Sequence, residues 1–171
     1  MDMRNVFHKQ LQEIQDDVVS MSNDVTNGIH NSIDALKKRD LRLAHQVIAD
    51  DSKVNEQRFA IEEKCIALAA TQQPTANDLR YIVAVLNIIV ELERIGDYAE
   101  GIAKIVVMIG DEPPLKPLID IPRMGEITID MVNNSIHSFS NRDIELAKRV
   151  VSMDSVVDDL FDQVFRELLT F

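Results

Sequence analysis

The stretch TANDLRYIVAVLNIIVELERIGDYAEGIAKIVVMI, residues 75–109, decides the fold. Its apolar residues recur every three or four positions, which predicts one long amphipathic helix. Thr75 followed by Asp78 is typical of a capped helix start, and Gly110 predicts the end. Such a helix is about 45 Å long and favours a bundle of long helices. Its predicted core stripe consists of Ile82, Val85, Ile89, Leu92, Ala99, Ile102 and Val106.

Two further helices are predicted before it. The first spans Arg4 to Lys38, and its last lysines suit a helix carboxyl end. Asp40 is a candidate N-cap for the second, which reaches about Ala70. With 46% hydrophobic residues, five glycines and five prolines, the composition also indicates an all-α protein. The predicted stripes are Val6, Ile14, Val18, Met21, Val25, Ile29, Ile33 and Leu36, and then Ala44, Val47, Val54, Ile61, Cys65 and Leu68.

The second part of the chain repeats the first. Residues 31–68 align without a gap with residues 134–171 and share 11 identities in 38 positions. Chance would give about two. A proline-rich linker separates the copies, and a further helix is expected near Met124. We therefore predict tandem three-helix bundles: residues 1–110 form the first bundle, residues 111–122 the linker, and residues 123–171 the first two helices of the second bundle, which lacks its third helix.

An incomplete second bundle leaves two apolar stripes partly uncovered. Three arrangements could cover them. Either the chain is a fragment of a longer protein, or the two-helix half pairs with another copy, or that half folds back on the first bundle. The second arrangement predicts a homodimer.

The net charge of -11 argues against a nucleic-acid partner and against an anionic membrane surface. No apolar run approaches the ~20 residues that a membrane span needs, and the amino terminus lacks the apolar centre of a signal peptide. Cys65 is the single cysteine, and a small buried core residue in a reducing compartment is the expectation. The chain is therefore expected to be cytoplasmic, without membrane insertion.

Acidic residues interrupt the apolar stripe of the second helix and of its repeat. Asp51 breaks the first stripe and Asp154 breaks the second at the equivalent position. One turn further lie Asn55 and Asp158. An unpaired carboxylate in a helix interface is costly, so a recurring one indicates a bound cation, a hydrogen-bonded cap or an open end of the bundle.

A second acidic series lies on the third helix, where Glu93, Asp97 and Glu100 share one face. Like charges at this spacing repel unless a cation intervenes, and hard metal ions prefer such oxygen clusters. An ordinary solvated face explains the same spacing, with Arg94 and Lys104 as neutralising partners. Spacing alone leaves both interpretations open.

Two runs resemble the PhoU family of bacterial phosphate-uptake regulators. QQPTANDLRYIVAVLNIIVELERIGDYAEGIAK, residues 72–104, is similar to the family's third-helix signature, including the E-x-x-x-D motif at Glu93 and Asp97. RDLRLAHQVIADDSKVNE, residues 39–56, is similar to its second-helix motif. The resemblance spans the whole chain, with its tandem repeat and linker.

The resemblance implies two bundles that each hold a divalent or trivalent metal ion, such as Mg, Mn, Fe or Zn. Asp51 with Asn55 and Glu93 with Asp97 would form the first site, although Asn55 departs from the acidic pattern. Asp154 and Asp158 would belong to the second, whose partner motif the chain lacks. The family further implies negative control of phosphate-starvation genes through the ATPase subunit of the phosphate ABC transporter and a sensor histidine kinase.

Two other functions compete with that of a regulator. A di-iron enzyme would need Glu-x-x-His pairs, which the sequence does not contain, and no Gly-rich phosphate loop is present. The expectation is therefore that the protein is not an enzyme. A metal-independent helical adaptor or scaffold is the stronger alternative. It is favoured if Glu93 and Asp97 pair with basic side chains rather than converging with Asp51.

Overall fold

A computed structural model describes residues 3–170, which form five α-helices and no strand. The all-α prediction is confirmed. Phe171, the last residue of the predicted repeat, lies outside the described residues. The helices are α1 (Met3–Lys38), α2 (Leu41–Thr71), α3 (Ala76–Ile109), α4 (Asp120–Asn141) and α5 (Ile144–Leu168).

Helices α1, α2 and α3 form the first bundle, in which each helix packs against the other two. All six predicted core residues of α2 are buried. In α3 the predicted stripe is buried except for Ile102, and Gly96 and Ala103 are buried as well. In α1, Phe7 and Ala35 are buried, whereas the predicted Val6, Ile33 and Leu36 are only partly covered.

The helix starts follow the predicted caps. Leu43 N donates to Asp40 Oδ1 at 2.9 Å, and Leu146 N donates to Asp143 Oδ1 at 2.9 Å at the equivalent position of the repeat. Thr75 and Asp78 form a reciprocal capping box at the start of α3. The repeat is therefore a repeat of local structure as well as of sequence.

The fourth helix begins at Asp120, earlier than predicted. The predicted linker extends to residue 122 because prolines interrupt helices. Pro122 lies in the first turn of α4, where its missing N–H would have no acceptor within the helix. The non-helical connection between α3 and α4 therefore ends at residue 119.

Helix α4 folds back on the first bundle, so the third of the three arrangements holds for one of the two helices of the second half. It packs along α1, and the ring of Phe139 stacks on Tyr81 of α3 with 4.9 Å between centroids. Val132 and Ile136 join the core formed by α1, α2 and α3. Among the helices, α5 packs on α4 alone. Its exposed apolar side chains are Ile144, Val151, Val156, Phe161, Phe165 and Leu168.

No helix within residues 3–170 is both long enough and apolar enough to cross a membrane.

Candidate functional site

Asp51 lies half-buried where α2 faces α3. Asn55 Nδ2 donates to its Oδ2 at 2.9 Å, so the two predicted residues form a hydrogen-bonded pair one turn apart. Opposite them is Gly96, where an added Cβ would lie 3.8 Å from Asp51 Oδ1 and 3.4 Å from Val54 Cγ1. The α3 backbone therefore lies directly against the Asp51 carboxylate.

Among the predicted acidic residues, Asp97 and Glu100 of α3 are the two whose charges act on Asp51. Burial raises the pKa of Asp51, and the charges of Glu100 and Asp97 raise it further, whereas the Asn55 hydrogen bond and Lys104 act in the opposite direction. Three of the predicted carboxylates therefore influence one another electrostatically. Lys104 Nζ lies 2.6 Å from Glu100 Oε2, as the solvated-face interpretation predicted for that lysine.

Glu93 faces a cation instead of the other carboxylates. Arg58 Nη1 of α2 lies 3.8 Å from Glu93 Oε1, and Arg58 Nη2 lies 3.9 Å from Glu62 Oε2. The Arg58 guanidinium also sits 4.9 Å from the centroid of the Phe59 ring. Sequence reasoning missed this contact, although Arg58 follows Asp51 by seven positions and therefore lies on the same side of α2.

Arg94 does not neutralise the acidic series. Its Nη1 lies 3.9 Å from Glu91 Oε2, one turn back on the same helix. Asp97 is exposed. Within residues 3–170, no group of three or more His, Cys, Asp or Glu side chains is arranged to hold a metal ion.

Asp154 and Asp158 lie apart from these residues, exposed on α5. Asp51 is partly covered because α3 packs on α2, but α5 packs only on α4. The same sequence position in the repeat therefore has two different environments.

A cavity of about 270 Å³ opens beside Asp51 between α1, α2 and α3. Apart from Asp51, sequence reasoning did not single out its polar lining, because these residues come from separate helices. Lys53 Nζ lies 2.8 Å from Asp24 Oδ1 at its edge. The other polar lining residues are Asn27, Asn31, Asp50 and Asp51.

A three-helix bundle with a fourth helix packed along α1 and a fifth continuing from it defines a helical-bundle protein. The family described as "PhoU domain" matches residues 18–106 and 121–171. The chain belongs to the PhoU family, as its motifs indicated.

Relatives match along nearly the whole chain. The phosphate-specific transport system accessory protein PhoU homolog of Aquifex aeolicus (strain VF5) is 41% identical over 163 residues, which cover 95% of this chain and 74% of the relative. The phosphate-specific transport system accessory protein PhoU of Escherichia coli (strain K12) is 33% identical over 165 residues, covering 96% and 68%.

Solved structures show the same fold. PhoU from Pseudomonas aeruginosa superposes with a TM-score of 0.90 at 29% identity, covering 96% of this chain and 79% of that one. The phosphate transport system regulatory protein PhoU from Streptococcus pneumoniae gives a TM-score of 0.88 at 24% identity, covering 96% and 77%. The second likeness supports the fold alone.

Proposed function

We propose that this chain is a non-enzymatic regulator of phosphate uptake and phosphate-starvation signalling, which it controls negatively in the cytoplasm. The proposal is carried by the names of its relatives, which are accessory proteins of phosphate-specific transport systems. Long helices with exposed faces suit binding to other proteins. All four histidines are exposed on helices, at His8, His30, His45 and His137, where they resemble surface residues rather than paired catalytic groups.

The proposed partners are the ATPase subunit of the phosphate ABC transporter and a sensor histidine kinase. When this chain is immobilised, it should bind the purified ATPase subunit and the cytoplasmic part of the kinase with micromolar or tighter affinity. The ATPase subunit of an unrelated ABC importer is the control, and it should bind at least about tenfold more weakly, a difference of about 1.4 kcal/mol. Equal binding of the related and unrelated subunits, or no binding of either proposed partner, would contradict the proposal.

The alternative function is that of a metal-independent helical adaptor, and the contacts of the acidic residues favour it. Glu93 pairs with Arg58 and Glu100 with Lys104. Metal binding by Asp51, Asn55, Glu93, Asp97 and Glu100 stays a prediction, with Mg, Mn, Fe or Zn as candidate ions.

Metal analysis of protein purified without chelator distinguishes a metal-binding regulator from a metal-independent adaptor. The matched variant carries Glu93→Ala and Asp97→Ala, and both proteins are melted with and without Mn²⁺. Metal in the parent together with a higher melting temperature, both lost in the variant, would support a metal site. If neither protein contains metal and both melt alike, the adaptor function is supported.

A further inference from the structure

Among the large apolar residues that α2 and α3 leave exposed are five with 41% to 59% of each residue's surface accessible to solvent. We term them the α2–α3 patch: Phe59 and Ile66 of α2, with Leu79, Val83 and Val90 of α3. The two α2 residues are seven positions apart, and the α3 residues are four and seven apart, so each set lies on one helix face. The Arg58–Glu93 ion pair joins the two helices beside Phe59, the residue after Arg58, and one turn beyond Val90.

The core of the bundle does not account for this patch. The buried stripe of α3 uses other positions, including Ile82, Val85 and Ile89. Single exposed apolar residues are ordinary, but a run of them on two neighbouring helices marks an interaction surface. Phe59 is also positioned by the Arg58 guanidinium above its ring, which makes it suitable as an aromatic anchor for a partner.

The α2 side of the patch is bordered mainly by acidic residues. Glu62 and Glu63 line a shallow depression together with Phe59, Ile66 and Ala67. Glu56 lies one turn before them and Glu93 at the α3 side. Arg58 is flanked by Glu62 and Glu93, whereas Arg80 and Arg94 lie on the α3 side, where Arg94 pairs with Glu91. An apolar surface with an acidic border is complementary to an apolar surface with a basic border.

We propose that the α2–α3 patch binds an amphipathic helix of a partner protein, with apolar residues on one face and lysines or arginines along the edge that meets α2. Apolar residues of that helix would cover Phe59, Val83 and Val90, and its cations would meet Glu62 and Glu63. The inference rests on the proposed function only in that the chain acts by binding other proteins.

A helical peptide of about 18 residues, with leucines on one face and lysines on the other, is the probe. The peptide is labelled, and its binding to the chain is followed by fluorescence anisotropy. The test variant carries Phe59→Ser, Val83→Ser and Val90→Ser. The matched control carries Ile105→Ser, Met108→Ser and Val151→Ser, three exposed apolar residues elsewhere on α3 and α5. Circular dichroism checks that both variants keep the helical content of the parent.

The peptide should bind the patch variant at least about tenfold more weakly than the parent, because buried aromatic and aliphatic anchors dominate such interfaces. It should bind the control variant as tightly as the parent. Replacing the peptide's lysines by glutamates should weaken binding at least as much. Equal binding to parent and patch variant, or no binding to the parent, would overturn the proposal.

Two further measurements test whether a second copy covers the patch and whether the patch contacts the transporter or the kinase. Sedimentation velocity of the patch variant should match that of the parent, and a change in oligomeric state would show that a second copy covers the patch. The patch variant is also tested against the transporter ATPase subunit and the kinase. If the parent binds either partner and the patch variant binds equally, the patch is excluded as the contact while the proposed function stands. If the parent binds neither partner, the proposed function fails, and the peptide measurement alone decides whether the patch binds an amphipathic helix.

Discussion

At the scale of single residues, the Asp51 carboxylate is held where its charge is disfavoured. Burial and the neighbouring charges of Glu100 and Asp97 raise its pKa above the ordinary value. A carboxyl group whose pKa is raised on folding stabilises the protein below its unfolded pKa, and that contribution is lost as pH rises through the folded pKa. At neutral pH the ionised Asp51 therefore lowers the free energy of unfolding.

Asp51→Asn should accordingly raise stability at pH 7 by a few tenths of a kcal/mol, comparable to relief of a like-charge pair on a helix. The asparagine carbonyl can still accept the hydrogen bond from Asn55. The gain should vanish below about pH 4, the ordinary pKa of aspartate, where Asp51 is neutral in both states. Urea unfolding of parent and variant at both pH values measures the difference, with the exposed Asp154→Asn as control. A gain that is the same at both pH values would contradict the electrostatic cause.

At the scale of helices, α2 and α5 show what periodicity can predict. All six residues of the α2 stripe are buried as predicted. The matching stripe of α5 has the same spacing, yet Phe161 and Leu168 are exposed and only Leu160 is buried. Spacing identifies the apolar face of a helix, but it does not say whether another helix covers that face.

Contacts between helices also limited what could be predicted of the acidic site. Asp51 with Asn55 could be paired from their spacing within one helix. The contact between Arg58 and Glu93 joins α2 to α3, and the register of two packed helices cannot be read from either helix alone. Bundle composition, caps and stripes were therefore predictable, whereas the partner of each carboxylate across helices was not.

The packing of α4 on α1 gives a prediction about glycine. A Cβ at Gly125 would lie 3.0 Å from Ile33 Cγ1, whereas a Cβ at Gly101 of α3 would meet nothing within 4 Å. Gly101→Ala should raise the free energy of unfolding by about 0.5–1 kcal/mol through helix propensity. Gly125→Ala should lower it by about 1 kcal/mol, because overlap with Ile33 outweighs the same gain.

Chemical denaturation of the two single variants measures this contrast. The double variant Gly125→Ala, Ile33→Ala provides the control, because removing the Ile33 side chain beyond Cβ removes the overlap. The double variant's loss of stability should be smaller than the sum of the losses measured for Gly125→Ala alone and for Ile33→Ala alone. Strict additivity would show that Gly125 is not a packing residue.

At the scale of the whole molecule, apolar surface and charge are distributed unevenly. The first bundle and α4 share one core, and α5 extends from α4 with apolar side chains exposed on it. The net charge of -11 opposes close approach of two copies, and salt screens that repulsion. Exposed apolar area favours association and charge resists it, so the balance depends on ionic strength.

A homodimer should therefore form through the exposed apolar face of α5 and strengthen with salt. Phe161 and Phe165 lie one turn apart with more than half of each residue's surface exposed, at 58% and 56%. Phe161→Ser with Phe165→Ser should convert the dimer to a monomer, whereas Ile105→Ser with Met108→Ser on α3 should leave it intact. Sedimentation equilibrium at low and high salt measures the association constant of each protein. Aromatic side chains buried at an interface contribute most of its binding energy, so loss of both phenylalanines should abolish a dimer formed through α5. A parent that stays monomeric at high salt, or a dimer that persists in the α5 variant, would show that the apolar face of α5 does not mediate self-association.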